Sequence, residues 1–150
     1  MTYRHPDVAA VVLAAGMGKR MKSDLAKVLH VMAGKPLLGH VLETLEELGV
    51  GRTVAVIGHQ REKVQATFAG RKGLEWAIQA EQRGTGHACM MAEPLIRGFR
   101  GTVLVVCGDT PLLSAARSLS RMDLRPRPVR ERSKKYVTPM AMSAEPRAHQ

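Results

Sequence analysis

Residues 11–30 read VVLAAGMGKRMKSDLAKVLH: an apolar run breaks at Gly16 and Gly18, and Lys19, Arg20, Lys22 and Lys27 follow within nine residues. An aliphatic run that stops at glycines predicts a buried strand, here Val8 to Ala15, ending in a loop where main-chain amides and cations converge. Glycines let the backbone approach a phosphate closely, and the amides of a following helical turn point at it. Two familiar phosphate loops fail the test. A Walker A loop needs glycine five residues ahead of Gly-Lys-Ser/Thr, but Leu13 stands at that place and Arg20 follows Lys19. A dinucleotide fingerprint needs a third small residue where Met21 stands.

Downstream, strand and helix patterns alternate. Residues 34–51 (GKPLLGHVLETLEELGVG) predict a helix with Pro36 in its first turn, Gly49 as its stop, and an apolar face of Leu38, Val41, Leu42, Leu45 and Leu48. RTVAVIGH, residues 52–59, reads as a second strand ending near Gly58, and residues 60–69 as a polar amphipathic stretch. A third strand is expected in LEWAIQAEQ (74–82), and a helix in residues 84–98 that Pro94 cuts off within about a turn. TVLVVCGDTPLL, residues 102–113, is the fourth strand, ending at Gly108 and Asp109. Alternation of this kind predicts an α/β fold, a mainly parallel sheet wrapped by helices. In such sheets ligands bind beyond the carboxyl ends of the strands, where the first glycine turn and Asp109 both fall.

The composition agrees. A chain of 150 residues makes one ordinary domain, and with 45% hydrophobic but only 3% aromatic residues its core must be aliphatic. Cys89 and Cys107 are too few for a disulfide framework, which favours a reducing, cytoplasmic setting. No apolar stretch reaches bilayer length, so no membrane partner is expected. The net charge of +10 is uneven: residues 1–114 hold 14 Lys and Arg against 10 Asp and Glu, and residues 115–150 hold 9 against 3. That second segment carries half of the eight prolines and no sustained periodicity, so it reads as a basic, disordered tail.

Three blocks carry a resemblance: LAAGMGKRMKSDLAKVLHVMAGKP (13–36), QAEQRGTGHA (79–88) and VCGDTPLL (106–113). In this order and spacing, residues 8–114 resemble the uridylyltransferase domain of the bacterial bifunctional N-acetylglucosamine-1-phosphate uridylyltransferase/glucosamine-1-phosphate acetyltransferase family, among the sugar-nucleotide pyrophosphorylases. The resemblance implies a Rossmann-like nucleotide-diphospho-sugar transferase fold with helices on both faces of the sheet, incomplete in this chain. It implies attack of a sugar 1-phosphate on the α-phosphorus of UTP, with Mg²⁺ present, giving UDP-sugar and pyrophosphate. Such a displacement concentrates negative charge on phosphoryl oxygens, which placed cations answer.

By this correspondence Arg20 contacts the departing phosphates and Lys27 the α-phosphate, the two catalytic candidates. Leu13, Ala14, Ala15 and Gly16 pass along the nucleotide, as do Cys107 and Gly108. Gln79, Gly84 and Thr85 hydrogen-bond uracil, and Asp109 ligates Mg²⁺. Lys19, Lys22 and Lys35 read as solvated charges, and Lys72 as facing water. His30, His40, His59 and His87 read as packing or surface residues, Met90 and Met91 as core.

The sequence departs from the family at Ala26, where proline is usual, and at Lys19, where a small hydroxyl residue is usual. It contains no asparagine, although an asparagine completes the family's metal site, and no left-handed β-helix follows, so acetyltransferase activity is not expected. A frameshift or premature truncation near Ser114 is the expectation, with a weakly active or inactive uridylyltransferase domain. A catalytically dead nucleotide-binding remnant is the alternative. Nucleic-acid binding through the basic tail ranks last, since only Tyr136 offers a stacking platform there. Oligomeric state is left open.

Overall fold

The computed structural model describes residues 4–18, 23–110 and 141–142. In chain order its elements are β1 (His5–Ala14), β2 (Val31–Met32), β3 (Lys35–Pro36), α1 (Leu37–Glu47), β4 (Val50–Ile57), α2 (Arg61–Thr67), β5 (Leu74–Ile78), α3 (Thr85–Ile96), β6 (Thr102–Cys107) and β7 (Ala141–Met142). The main sheet has the order β5-β4-β1-β6-β7. The four strands expected from the apolar runs are parallel, and β7 adds an antiparallel edge at Val103 and Leu104.

Strand β1 is hydrogen-bonded on both sides, Val11 pairing with Val54 on β4 and with Val105 on β6. A strand so placed is covered on both faces as well, which is why its sequence is a continuous apolar run rather than an alternation. Its side chains divide by parity. Val8, Ala10, Val12 and Ala14 join the layer under α1 and α2, while Val11 and Ala15 join the layer under α3. Helix α1 buries all five residues of its predicted face, and Val64 and Phe68 extend that layer from α2 and its end. Ala88 and Ala92 bring α3 onto the opposite face.

Local chemistry sets the boundaries. Gly49 follows α1 with φ +61°, the left-handed conformation that ends helices and that glycine adopts without strain. Pro36 lies just before α1 rather than in its first turn, in extended conformation and paired with Val31 in the β2–β3 hairpin. The two-residue turn of that hairpin puts Ala33 at φ 49° and Gly34 at φ 78°, as tight hairpin turns require. Pro94 falls inside α3, which ends two residues later at Ile96. Met90, expected in the core, is 64% exposed. Ala88 and Ala92 are four apart and share the buried face, so the residue midway between them points away. Met91 does pack against the core.

The order of the parallel strands reverses at β1: the chain moves outward through β4 and β5, then returns to place β6 on the other side. The carboxyl ends of β1 and β6 therefore meet at the switch point where open α/β sheets bind ligands. Among the described residues no helix is long and apolar enough to cross a membrane. The expectation of a disordered tail lies outside the described residues, apart from Ala141 and Met142.

Candidate functional site

At the switch point Leu13 pairs with Cys107 in the sheet, and the Gly108 amide donates to the Leu13 carbonyl at 2.9 Å. Ala14 and Ala15 are buried, and Gly16 emerges at the surface. Gly18 has φ +62°, and a Cβ built there would stand 2.9 Å from the Cβ of Lys27. Glycine thus serves twice at this position, for its dihedral and for the passage of Lys27. Lys27 opens a single 3-10 turn, Lys27–Leu29, anchored by the buried Val28 and Leu29. Its ammonium pairs with the Asp109 carboxylate, and the two side chains are 39% and 27% exposed. Two of the predicted residues from distant parts of the sequence are thereby brought into contact. Arg20, the other catalytic candidate, lies outside the described residues, as do Lys19, Met21 and Lys22.

A glutamine that sequence reasoning missed holds the lysine-bearing segment. Gln60 donates from Nε2 to the Asp24 carbonyl at 2.7 Å and accepts at Oε1 from the Ala26 amide at 3.0 Å. His59 meets the same Asp24 carbonyl at 3.2 Å. Gln60 itself is held in left-handed conformation, φ 51°, just before α2. Nothing in the local pattern around residue 60 signals a contact with residues 24–26.

The third group gathers around Gln79, which follows β5 and is only 3% exposed. Its backbone amide donates to the Ile57 carbonyl at 2.8 Å. Its side-chain Nε2 lies 3.2 Å from the Gly84 carbonyl and 3.0 Å from His87 Nδ1. Gly84 precedes α3 and Thr85 is its first residue, so the predicted trio of Gln79, Gly84 and Thr85 is collected at one helix start. Gln82 ties this group to the first by donating to the Ala15 carbonyl at 2.6 Å. Gln82 had no role assigned from sequence and His87 was read as a packing or surface residue, although both fall within the block QAEQRGTGHA.

The other residues sort plainly. His40 meets the Met32 carbonyl at 2.7 Å, and His30 Nε2 is buried without a hydrogen-bond partner among the described residues. Lys35 is paired with Glu43 rather than solvated. Lys72 is exposed. Burial pushes the thiols of Cys89 and Cys107 above their ordinary range; at Cys107 the Asp109 charge adds to the rise and Lys27 opposes it. Among the described residues no three His, Cys, Asp or Glu side chains assemble to hold a metal. A Mg²⁺ site of the substrate-assisted kind needs less, one or two carboxylates with phosphate oxygens and water completing the octahedron. Asp109 fits that sparse requirement, provided that Lys27 releases it.

The family model of the MobA-like NTP transferase domain matches residues 10–125. The chain is similar to the bifunctional protein GlmU of Exiguobacterium sp., 55% identical over 106 residues, which are 71% of this chain and 23% of that protein. The GlmU of Pelobacter propionicus is 53% identical over 107 residues, again 71% and 23%. The chain thus spans under a quarter of the length of these curated relatives. Among solved structures, that of HddC from Yersinia pseudotuberculosis complexed with GMP-PN superposes with TM-score 0.62 at 27% identity, covering 77% of this chain and 54% of the other.

Proposed function

Because the chain belongs to the MobA-like NTP transferase domain family, we propose that it binds a uridine nucleotide at the β1–β6 switch point and descends from enzymes transferring a uridylyl group to N-acetylglucosamine 1-phosphate. The observation that carries this reading is the meeting of Lys27 and Asp109 beside the glycine turn. The likeness to GlmU proteins supports the choice of UTP or a UDP-sugar as ligand.

In this reading Leu13, Ala14, Ala15 and Gly16, with Cys107 and Gly108 opposite them, pass along the nucleotide. The base lies toward Gln79, Gly84 and Thr85. A phosphate oxygen of the sugar attacks the α-phosphorus, the bond to the bridging oxygen breaks, and pyrophosphate departs. Lys27 would neutralise the α-phosphate and Arg20 the leaving pyrophosphate. Asp109, with triphosphate oxygens and water, would hold Mg²⁺, which supplies further neutralisation of the same oxygens. A reducing cytoplasm is the setting that two free thiols fit.

A second reading, binding with little or no turnover, is favoured by the ion pair with Lys27 that engages the Asp109 carboxylate expected to hold the metal. One experiment addresses both. The chain is incubated with UTP, Mg²⁺ and N-acetylglucosamine 1-phosphate while nucleotide binding is followed by calorimetry and turnover by pyrophosphate release. Binding with release that Arg20→Ala abolishes supports the enzyme; binding without release supports the remnant. Absence of binding overturns both.

A further inference from the structure

We infer that Gln60 is a positioning residue for Lys27: its side-chain amide clamps the chain just ahead of the lysine and so fixes where the ammonium stands beside Asp109. The inference rests on the nucleotide site proposed above.

Lys27 is reached through residues 23–26, which belong to no helix or strand. Among the described residues, the one hydrogen bond that these four make with each other runs from the Leu25 amide to Ser23 Oγ at 3.2 Å. The clamp comes from a distant part of the chain. Gln60 Nε2 donates to the Asp24 carbonyl at 2.7 Å, and its Oε1 accepts from the Ala26 amide at 3.0 Å. A carboxamide suits both ends at once, whereas a carboxylate lacks the donor and an ammonium lacks the acceptor.

Ala26 transmits the hold to Lys27. It is 1% exposed, and its carbonyl accepts from the Leu29 amide at 2.9 Å, the bond that closes the 3-10 turn. With its amide held by Gln60 and its carbonyl by Leu29, neither dihedral of Ala26 can swing without breaking a bond. The buried Val28 and Leu29 hold the far side of Lys27. The lysine is thus gripped from both directions while its side chain stays partly exposed.

The clamp is itself seated on the sheet. A Cβ at Gly58 would stand 2.8 Å from the Gln79 carbonyl oxygen and 3.2 Å from the Ala15 carbonyl oxygen, so the corner after β4 lies tight against the chain leaving β1 and β5. The Gln60 carbonyl accepts from the Lys63 and Val64 amides at 3.0 Å each, opening α2. Gln60 adopts φ 51° at this corner, a backbone that disfavours any side chain and persists where the surroundings over-determine it. Glycine would sit there without strain, but it could not reach residues 24–26. The strained residue is the one whose side chain orders the approach to Lys27.

The test is a double-mutant cycle between Gln60→Gly and Lys27→Met, with Mg²⁺-UTP affinity by calorimetry and urea unfolding for all four chains. Gln60→Gly should weaken binding roughly three- to tenfold in the wild-type background, about the worth of one hydrogen bond. With Lys27→Met already present it should weaken binding by less than about twofold, because the effect travels through the lysine. Its effect on unfolding should be the same in both backgrounds. A residue that merely supports the fold would lower affinity by the same factor in both, and that result overturns the inference alone, as does unchanged affinity in Gln60→Gly. Failure of wild type to bind Mg²⁺-UTP, or equal binding by Lys27→Met, overturns the site proposal with it. Should Gln60→Gly not fold, Gln60→Glu takes its place in the cycle, keeping an acceptor for the Ala26 amide and losing the donor to Asp24, and the same comparison of factors decides.

Discussion

The Lys27 ammonium and the Asp109 carboxylate neutralise each other across the switch point, one carried by a 3-10 turn and the other by the end of β6. Both are partly exposed, so the pair is worth at most about 1 kcal/mol. A cation approaching Asp109 and a phosphate approaching Lys27 each compete with that same weak contact. In the nucleotide site proposed above, the two halves of a metal–triphosphate complex would each have to displace this one contact.

Lys27→Met should have effects of opposite sign. With its counter-charge removed, Asp109 should take up Mg²⁺ alone more readily. Affinity for Mg²⁺-UTP should fall roughly tenfold or more, since a charged hydrogen bond to phosphate is lost. Calorimetric titrations with each ligand check this, using Lys72→Ala at an exposed position as the control expected to match wild type.

Gly18→Ala should cost stability and binding together. The left-handed dihedral disfavours alanine by about 1 kcal/mol, and the new methyl, 2.9 Å from Lys27 Cβ, forces the lysine to move. Gly16→Ala, with nothing within 4 Å of its added Cβ, should be milder. Urea unfolding and UTP titration of both variants give the comparison.

Substitution of Gln60 separates its side chain from its backbone. Gln60→Ala loses both hydrogen bonds to the Asp24–Ala26 segment and keeps the unfavourable φ, for an expected loss of about 1–3 kcal/mol. Gln60→Gly loses the same bonds but relieves the dihedral, so it should be the more stable of the two by about 1 kcal/mol. Both should weaken triphosphate binding through misplacement of Lys27, an effect that thermal shift with and without UTP would register.

What was legible in the sequence follows from what each signal requires. The apolar runs at residues 8–15, 52–57 and 102–107 announce strands because a parallel sheet buries both faces, and the leucines of α1 announce one helical face. Gly84, Thr85 and Gln79 fall close together in the chain, so their convergence is a local matter. The β2–β3 hairpin escaped notice because two-residue strands have no period to detect, and its turn demands a positive φ from Ala33. Gln60 and His87 escaped for a different reason. Their roles consist of hydrogen bonds to particular atoms, two of them main-chain groups of Asp24 and Ala26, and a backbone atom looks the same in every sequence. Met90 was misplaced because residue type was weighed without the phase of the helix it occupies.

The pair between Lys35 and Glu43, which fastens β3 to α1, should lend the fold a small acid sensitivity. The hydrogen bond from Lys35 holds the Glu43 carboxyl below its ordinary value of 4.5, with the charges of Lys35, Arg71 and His40 adding to this and burial opposing it. A depressed folded value means that the stabilisation is present above pH 4.5 and fades as pH falls below it. Glu43→Gln should therefore lose less than about 1 kcal/mol at neutral pH, and the difference from wild type should shrink in acid. Urea unfolding at two pH values suffices to see it.

Helix α3 meets the sheet through Ala88 and Ala92, where α1 meets it through leucines. Methyl contacts are thin, so α3 lies close against β1, β4 and β5, and its depth is gauged by the smallest side chains in the protein. The same rod begins at Thr85, directly after the carbonyl that grips Gln79. Those two alanines act as a shim beneath the helix start where the proposed base site lies. One added methylene at residue 92 would lift that helix start without altering Gln79, Gly84 or Thr85, so in the proposed site the tolerance for different bases would be adjusted from behind, in residues no inventory of contacts would name.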